Sequence, residues 1–213
     1  MMTERVYTKR YDAPVVDLGE ALRYAGVREE TAELRALLEE CLAEMGDQLR
    51  YKICYTTLPV SDRGKILGLG SVFCESEHLC RHLANCEKAV VFAATVGVAP
   101  DRLVMKYGHL SPTKALLCQA LATERIEALC DVFCQELKCE AAWEGAEITG
   151  RFSPGYGDLS VVGQRDIFRL LDCSRRIGLS LGESLLMSPT KSVTALVGIR
   201  PVTPRKNEHA KSE

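Results

Sequence analysis

The segment Arg151-Phe152-Ser153-Pro154-Gly155-Tyr156-Gly157-Asp158 has strong local character. Pro154 fixes its own φ and holds Ser153 in extended geometry. Gly155 and Gly157 permit positive φ, or the close approach of a ligand to the backbone. An extended segment ending this way presents bare backbone N–H and C=O groups beside one cation, Arg151, and one aromatic hydroxyl, Tyr156. That combination suits a small ligand with a carboxylate and a planar ring. Arginine grips a carboxylate in bidentate fashion, and a tyrosine ring covers an apolar face. The same residues also suit a proline–glycine turn in which Arg151 only supports the fold, and composition alone leaves both readings open.

A second row, Cys74, His78, His82 and Cys86 at four-residue intervals with Cys80 inside it, contains zinc-ligand types. On one helix the row would span roughly 18 Å, too long for four ligands to meet one ion. Ordinary packing and surface histidines are therefore expected there, with no metal. Gly68-Leu69-Gly70 is a weak hint of a phosphate loop, and no Walker or Gly-x-Gly-x-x-Gly motif is present. His109 and His209 stand apart from any nucleophile motif, so no independent catalytic set is legible. The ten cysteines form no Cys-x-x-Cys, and many sit among Leu and Ala, where a reduced thiol packs as a small apolar group.

The elements that must position the first segment follow from periodicity. Residues 17–46 read as a short helix and a longer one, broken near Tyr24-Ala25-Gly26. Residues 50–60, 65–73 and 88–96 read as strands, the second with interior glycines that suggest a bulge. A short helix over 75–85 and another over 99–107 are expected. Ser111-Pro112 opens a long helix to about residue 138, with a bend near Thr123. A helix over 161–172 and apolar segments at 178–187 and 192–199 complete the order. Helices and strands do not alternate regularly, so α+β is favoured over a doubly wound sheet. The expected domain is 1–200, with 201–213 a disordered tail.

The 213 residues carry 27 Lys and Arg against 29 Asp and Glu, a net charge of -2. That balance argues against a nucleic-acid partner. No apolar run approaches a membrane span, and the N-terminus lacks a signal-peptide core, so a cytoplasmic protein without membrane contact is expected.

Residues Val90 to Tyr156 resemble the reactivation (S-adenosylmethionine-binding) domain of cobalamin-dependent methionine synthase. The shared residues are Phe92-Ala-Ala-Thr-Val-Gly97, Asp101, and Ala122, Arg125 and Glu127-Ala128 in the long helix. The most specific is the Arg-x-x-Pro-Gly-Tyr block formed by Arg151, Pro154, Gly155 and Tyr156. Downstream, Ile177 to Ser184, Met187, Pro189, Ser192 and Val193 are similar to a later block of that family. The chain departs from the full-length enzymes at Gly157 to Ser160 and at Ala195 to Pro201, and it has no counterpart of an acidic Asp-Trp-Thr-Pro segment. In these respects it resembles short, separate bacterial versions of the domain.

The resemblance implies one C-shaped α+β domain, a twisted antiparallel sheet flanked by helices. It implies S-adenosylmethionine as cofactor, its carboxylate on Arg151 and its remainder on the backbone of Phe152, Ser153, Pro154 and Gly155. Tyr156 would stand between the sulfonium and the corrin. It also implies a partner, a methionine synthase core or related corrinoid protein carrying cobalamin, and a reductant protein, since inactive cob(II)alamin must be reduced before it is methylated. Two other readings remain: a docking module that binds no ligand, and an independent S-adenosylmethionine-dependent methyltransferase.

Overall fold

The computed structural model describes residues 5–62, 66–70 and 72–202. The chain opens with strand β1 (Tyr7–Arg10) and helices α1 (Leu18–Tyr24) and α2 (Ala32–Gly46). Asp17 and Thr31 cap these helices, their side-chain oxygens accepting from the N–H groups of Glu20 and Leu34, donors that have no partner inside the helix. Strands β2 (Lys52–Asp62), β3 (Ile66–Leu69) and β4 (Val72–Glu75) lead to helix α3 (Glu77–His82) and strand β5 (Lys88–Thr95). Helix α4 (Ala99–Leu110) precedes the 32-residue helix α5 (Pro112–Trp143). The remainder is β6 (Ala146–Ile148), α6 (Gln164–Leu171), α7 (Cys173–Ile177), the small pair β7 (Ser180–Leu181) and β8 (Met187–Ser188), and β9 (Ser192–Pro201).

The main sheet runs β4-β3-β2-β5-β9-β6 with β1 added to β2, and every pair in it is antiparallel. Helices cover both faces, which gives the expected α+β architecture. Strand β5 shows why its sequence is apolar almost throughout. Successive side chains of a strand point to opposite faces. Val90, Phe92 and Ala94 enter a cluster with Leu117, Leu121 and Phe133 of α5. Ala89, Val91 and Ala93 enter a second cluster with Leu79 of α3, Ile167 and Leu171 of α6 and Ile177 of α7. The rings of Phe92 and Phe133 meet edge-on at 5.1 Å.

The first cluster contains one buried ionic feature. Arg125 of α5 is fully buried and its neighbour Glu124 nearly so. Arg125 donates to Glu124 and to the carbonyls of Pro14 (2.6 Å) and Val15 (2.8 Å), while Glu124 accepts from the N–H of Asp17 at 3.0 Å. The pair straps residues 14–17 across α5. Each buried charge keeps a partner, as a low-dielectric interior requires.

Several expectations change. Where one bulged strand is expected over 65–73, Ile66–Leu69 and Val72–Glu75 are two antiparallel strands, and Gly70, at φ +56, follows β3. The polar start of the chain supplies β1, held to β2 by a ladder from Tyr7 to Arg10. Helix α5 runs unbroken through Thr123, whose hydroxyl donates to the Gln119 carbonyl at 2.9 Å. The segment after 161 is a single 3-10 turn followed by two helices, since Asp172 sits at φ +50 between α6 and α7. Pro201 is the last residue of β9, and the expected tail from residue 203 onward lies outside the described residues.

Candidate functional site

Phe152 anchors the Arg151–Asp158 segment to β9, on the side of that strand that β6 also pairs with. Its N–H donates to the Leu196 carbonyl at 2.9 Å and its carbonyl accepts from the Leu196 N–H at 2.8 Å. Beyond it the chain turns on itself. Tyr156 N–H donates to the Ser153 carbonyl at 3.0 Å, Gly155 N–H to the Leu159 carbonyl at 2.8 Å, and Leu159 N–H to the Tyr156 carbonyl at 3.0 Å. Gly155 at φ +96 and Gly157 at φ +57 occupy backbone regions that side chains disfavour. The far end is held by Asp158. Its carboxylate accepts from the Ser76 hydroxyl at 2.5 Å, from Glu77 N–H at 2.7 Å and from His78 N–H at 3.2 Å. Those hydrogen bonds, the Ser76 hydroxyl first, hold the Asp158 carboxyl down at about 2.

The loop is thus tied at both ends, and Tyr156 projects from its crest with 69% of its surface exposed. Below it, Phe152 packs against the His82 ring at 5.0 Å, and His82 Nε2 lies 2.8 Å from the Gly150 carbonyl. The backbone groups of Phe152 and the N–H groups of Gly155 and Tyr156 are already engaged within the protein. Among the described residues, no protein partner takes the Ser153 N–H or the carbonyls of Arg151, Pro154 and Gly155, which leaves those groups for a ligand.

Arg151 reaches away from the loop to α5. Its Nη2 donates to Glu127 at 2.6 Å and lies 3.4 Å from Asp131. Burial opposes its charge, but the Glu127 bond and the surrounding charges outweigh that and hold it protonated. Burial raises Asp131, Arg151 lowers it and Glu127 raises it again, with a net upward shift. Glu127 and Asp131 are four residues apart and so share one face of the helix. Thr123, one turn earlier on that face, accepts from Lys191 at 2.8 Å. A guanidinium flanked by two carboxylates can receive both ends of an amino-acid zwitterion, the carboxylate on Arg151 and the ammonium on Glu127 or Asp131. Sequence reasoning missed the acidic half of this arrangement. Its signal is the i, i+4 spacing of Thr123, Glu127 and Asp131 on a helix that is otherwise rich in Leu and Ala.

The row from Cys74 to Cys86 does not converge. Cys74 lies on β4, Cys80 and His82 on α3, and Cys86 under Gly198, where an added Cβ would stand 2.4 Å from its sulfur. All ten cysteines are free thiols and seven are buried. Burial pushes Cys130 up to about 12, so it packs as an apolar group. A cavity of about 680 Å³ opens on the other side of the loop, between Ser76, Asp158, Ser160 and Val162. Its remaining charged walls, Glu75, Glu77 and Asp166, are acidic too. It would repel a ligand carboxylate. Among the described residues no helix is long and apolar enough to cross a membrane.

An α+β chain with a helix-covered antiparallel sheet and a Pro-Gly-Tyr loop pinned to β9 defines the class. The family described as the vitamin B12 dependent methionine synthase, activation domain, matches residues 72–204, and the chain belongs to that family. Among solved structures it is similar to the MetH reactivation domain bound to AdoHcy, with a TM-score of 0.71 at 14% identity, covering 95% of this chain and 80% of that one. No curated protein matches the sequence.

Proposed function

We propose that this chain presents S-adenosylmethionine to a cobalamin-carrying protein, a methionine synthase core or a related corrinoid protein on another chain, and so serves as its activation subunit. The observation that carries the reading is the pairing of Arg151 with Glu127 and Asp131 at the start of the Pro-Gly-Tyr loop. It complements the amino-acid end of that ligand, and it supplies the acidic contact for which the sequence offers no Asp-Trp-Thr-Pro segment. When bound, the ligand supplies the methyl group for reduced cobalt on the partner.

This chain's residues hold and aim that ligand. Arg151 takes the carboxylate, Glu127 the ammonium, and the open backbone groups from Arg151 to Gly155 take the polar edges of the nucleoside. Tyr156, exposed at the crest, lies where the methyl group must be offered to a partner. The contribution is proximity and orientation, with the bond-making left to the ligand and the corrin.

The test is methionine formation by a methionine synthase lacking its own activation domain, after deliberate oxidation to cob(II)alamin. With S-adenosylmethionine and a reductant protein, adding this chain should restore activity. Tyr156→Ala should bind the ligand only modestly less well yet lose most of the rescue. Full rescue by that variant removes Tyr156 from its role, and absence of rescue by the parent chain overturns the reading.

A further inference from the structure

Lys191 lies in the connection between β8 and β9, and its long side chain crosses to α5. The ammonium is half-buried and donates to Thr123 Oγ1 at 2.8 Å. That hydroxyl has already given its own proton to the Gln119 carbonyl. An ammonium has three donors and no acceptor, and among the described residues Lys191 uses one of them, on a neutral oxygen. Asp101, the acid whose charge bears on it, has both carboxylate oxygens turned to Thr190, one on its N–H at 3.0 Å and one on its hydroxyl. Burial lowers the Lys191 pKa and Asp101 only partly offsets this. A half-buried ammonium with two unused donors and no carboxylate in contact is not what packing alone selects, because the desolvation of the charge goes largely unanswered.

Its position says what could answer it. Thr123 and Glu127 are one turn apart on the same face of α5, with Cβ atoms about 5–6 Å from each other. Lys191 sits on the first and Arg151 on the second. Two cationic side chains therefore address neighbouring positions on one helix face, Lys191 from the start of β9 and Arg151 from the segment bridged to the middle of that strand. A ligand whose amino-acid end occupies Arg151 and Glu127 continues toward either Asp131 or Thr123. Toward Thr123 it meets Lys191.

We infer that Lys191 is a second ligand-binding residue of this site, its ammonium donating to the vicinal ribose hydroxyls of the nucleoside amino acid whose carboxylate Arg151 takes. The inference rests on the reading given under Proposed function. The diol is the group of that ligand rich in acceptors near the amino-acid end. The sulfonium between them is cationic and gives an ammonium nothing to bind.

Calorimetry on the intact chain separates the two ends of the ligand. The probes are S-adenosylhomocysteine and 5′-methylthioadenosine, which keeps the ribose but lacks the amino-acid end. Lys191→Met should weaken both by a similar factor, about tenfold for a charged hydrogen bond removed. Arg151→Ala should weaken only S-adenosylhomocysteine. Lys191→Arg, which keeps charge and reach, should stay within about threefold of the parent for both and serves if the Met variant fails to fold. Lys191→Met binding both probes as the parent does, or losing only S-adenosylhomocysteine, overturns the role of Lys191 and leaves the wider reading intact. A parent chain that binds neither probe overturns both.

Discussion

Gly157 lies directly beneath the imidazole of His78, so close that a Cβ added to it would stand 2.1 Å from Nδ1 and 2.9 Å from Cγ. Its φ of +57 is left-handed as well. Two separate penalties therefore fall on Gly157→Ala. The first is strain at a left-handed residue with a side chain, about 1–2 kcal/mol. The second is displacement of His78, whose ring can swing because its side chain is half exposed. Thermal unfolding of Gly157→Ala and of Gly157→Ala/His78→Ala should show the double variant recovering the steric part only. Equal melting of parent and Gly157→Ala would show that neither penalty operates.

Asp158 gives the loop a pH limit. Its folded pKa, about 2, is depressed from the usual 3.8 by the Ser76 hydroxyl and two backbone N–H groups. A depressed carboxylate contributes stability that is complete above the unfolded value and is lost as pH falls through the folded one. The contribution should therefore fade between about pH 4 and pH 2. Urea midpoints measured across that window should fall more steeply for the parent than for Asp158→Asn, which lacks the titrating group. Parallel curves would remove Asp158 from the acid response.

The Arg125–Glu124 pair predicts a large loss. Removing one member of a buried pair leaves the other uncompensated, at about 3–5 kcal/mol. Arg125→Met should reach that range in denaturant unfolding and should expose residues 14–17 to proteolysis, since their carbonyls lose the guanidinium. Arg125→Met/Glu124→Gln should recover part of the stability. A loss under about 1 kcal/mol in the single variant would mean that the strap is held by other contacts.

Arg151→Ala should affect binding far more than folding. Its bonds to Glu127 and Asp131 are partly exposed, and such pairs contribute about 0–1 kcal/mol to stability. A charged hydrogen bond to a ligand carboxylate contributes more, so affinity for S-adenosylmethionine should fall about tenfold or further. Glu127→Gln should also weaken binding, through the ammonium. Unchanged affinity in both variants would move the amino-acid end of the ligand elsewhere.

The sequence made some of this visible and hid the rest for identifiable reasons. The long helix is plain because Ser111-Pro112 opens it and Ile126, Leu129, Phe133 and Leu137 recur at helical spacing. Its length past residue 138 is not, since Trp143 and its neighbours face solvent and carry no periodic signal. Residue types alone mark Arg151 to Asp158 as a candidate segment and leave a structural turn open beside a ligand site. They do not mark the partners of Arg151, because Glu127 and Asp131 meet it only after α5 packs across the sheet. Strand β1 was hidden because an added strand with mostly exposed side chains shows little apolar alternation. Interior Gly68 and Gly70 suggest a bulge or a close backbone contact, whereas a positive φ at Gly70 makes a turn there.

The loop bearing Tyr156 hangs between two supports. Phe152 is fastened to Leu196 of β9, and Asp158 to the first turn of α3, whose Leu79 is seated in the same cluster as Leu196. The height of the crest is therefore a span, set by how far apart the sheet and that short helix are kept. Loosening the seat of Leu79 would tilt Tyr156 without altering a residue of the loop. Leu79 is itself buried, so a change there would reach the crest through packing alone.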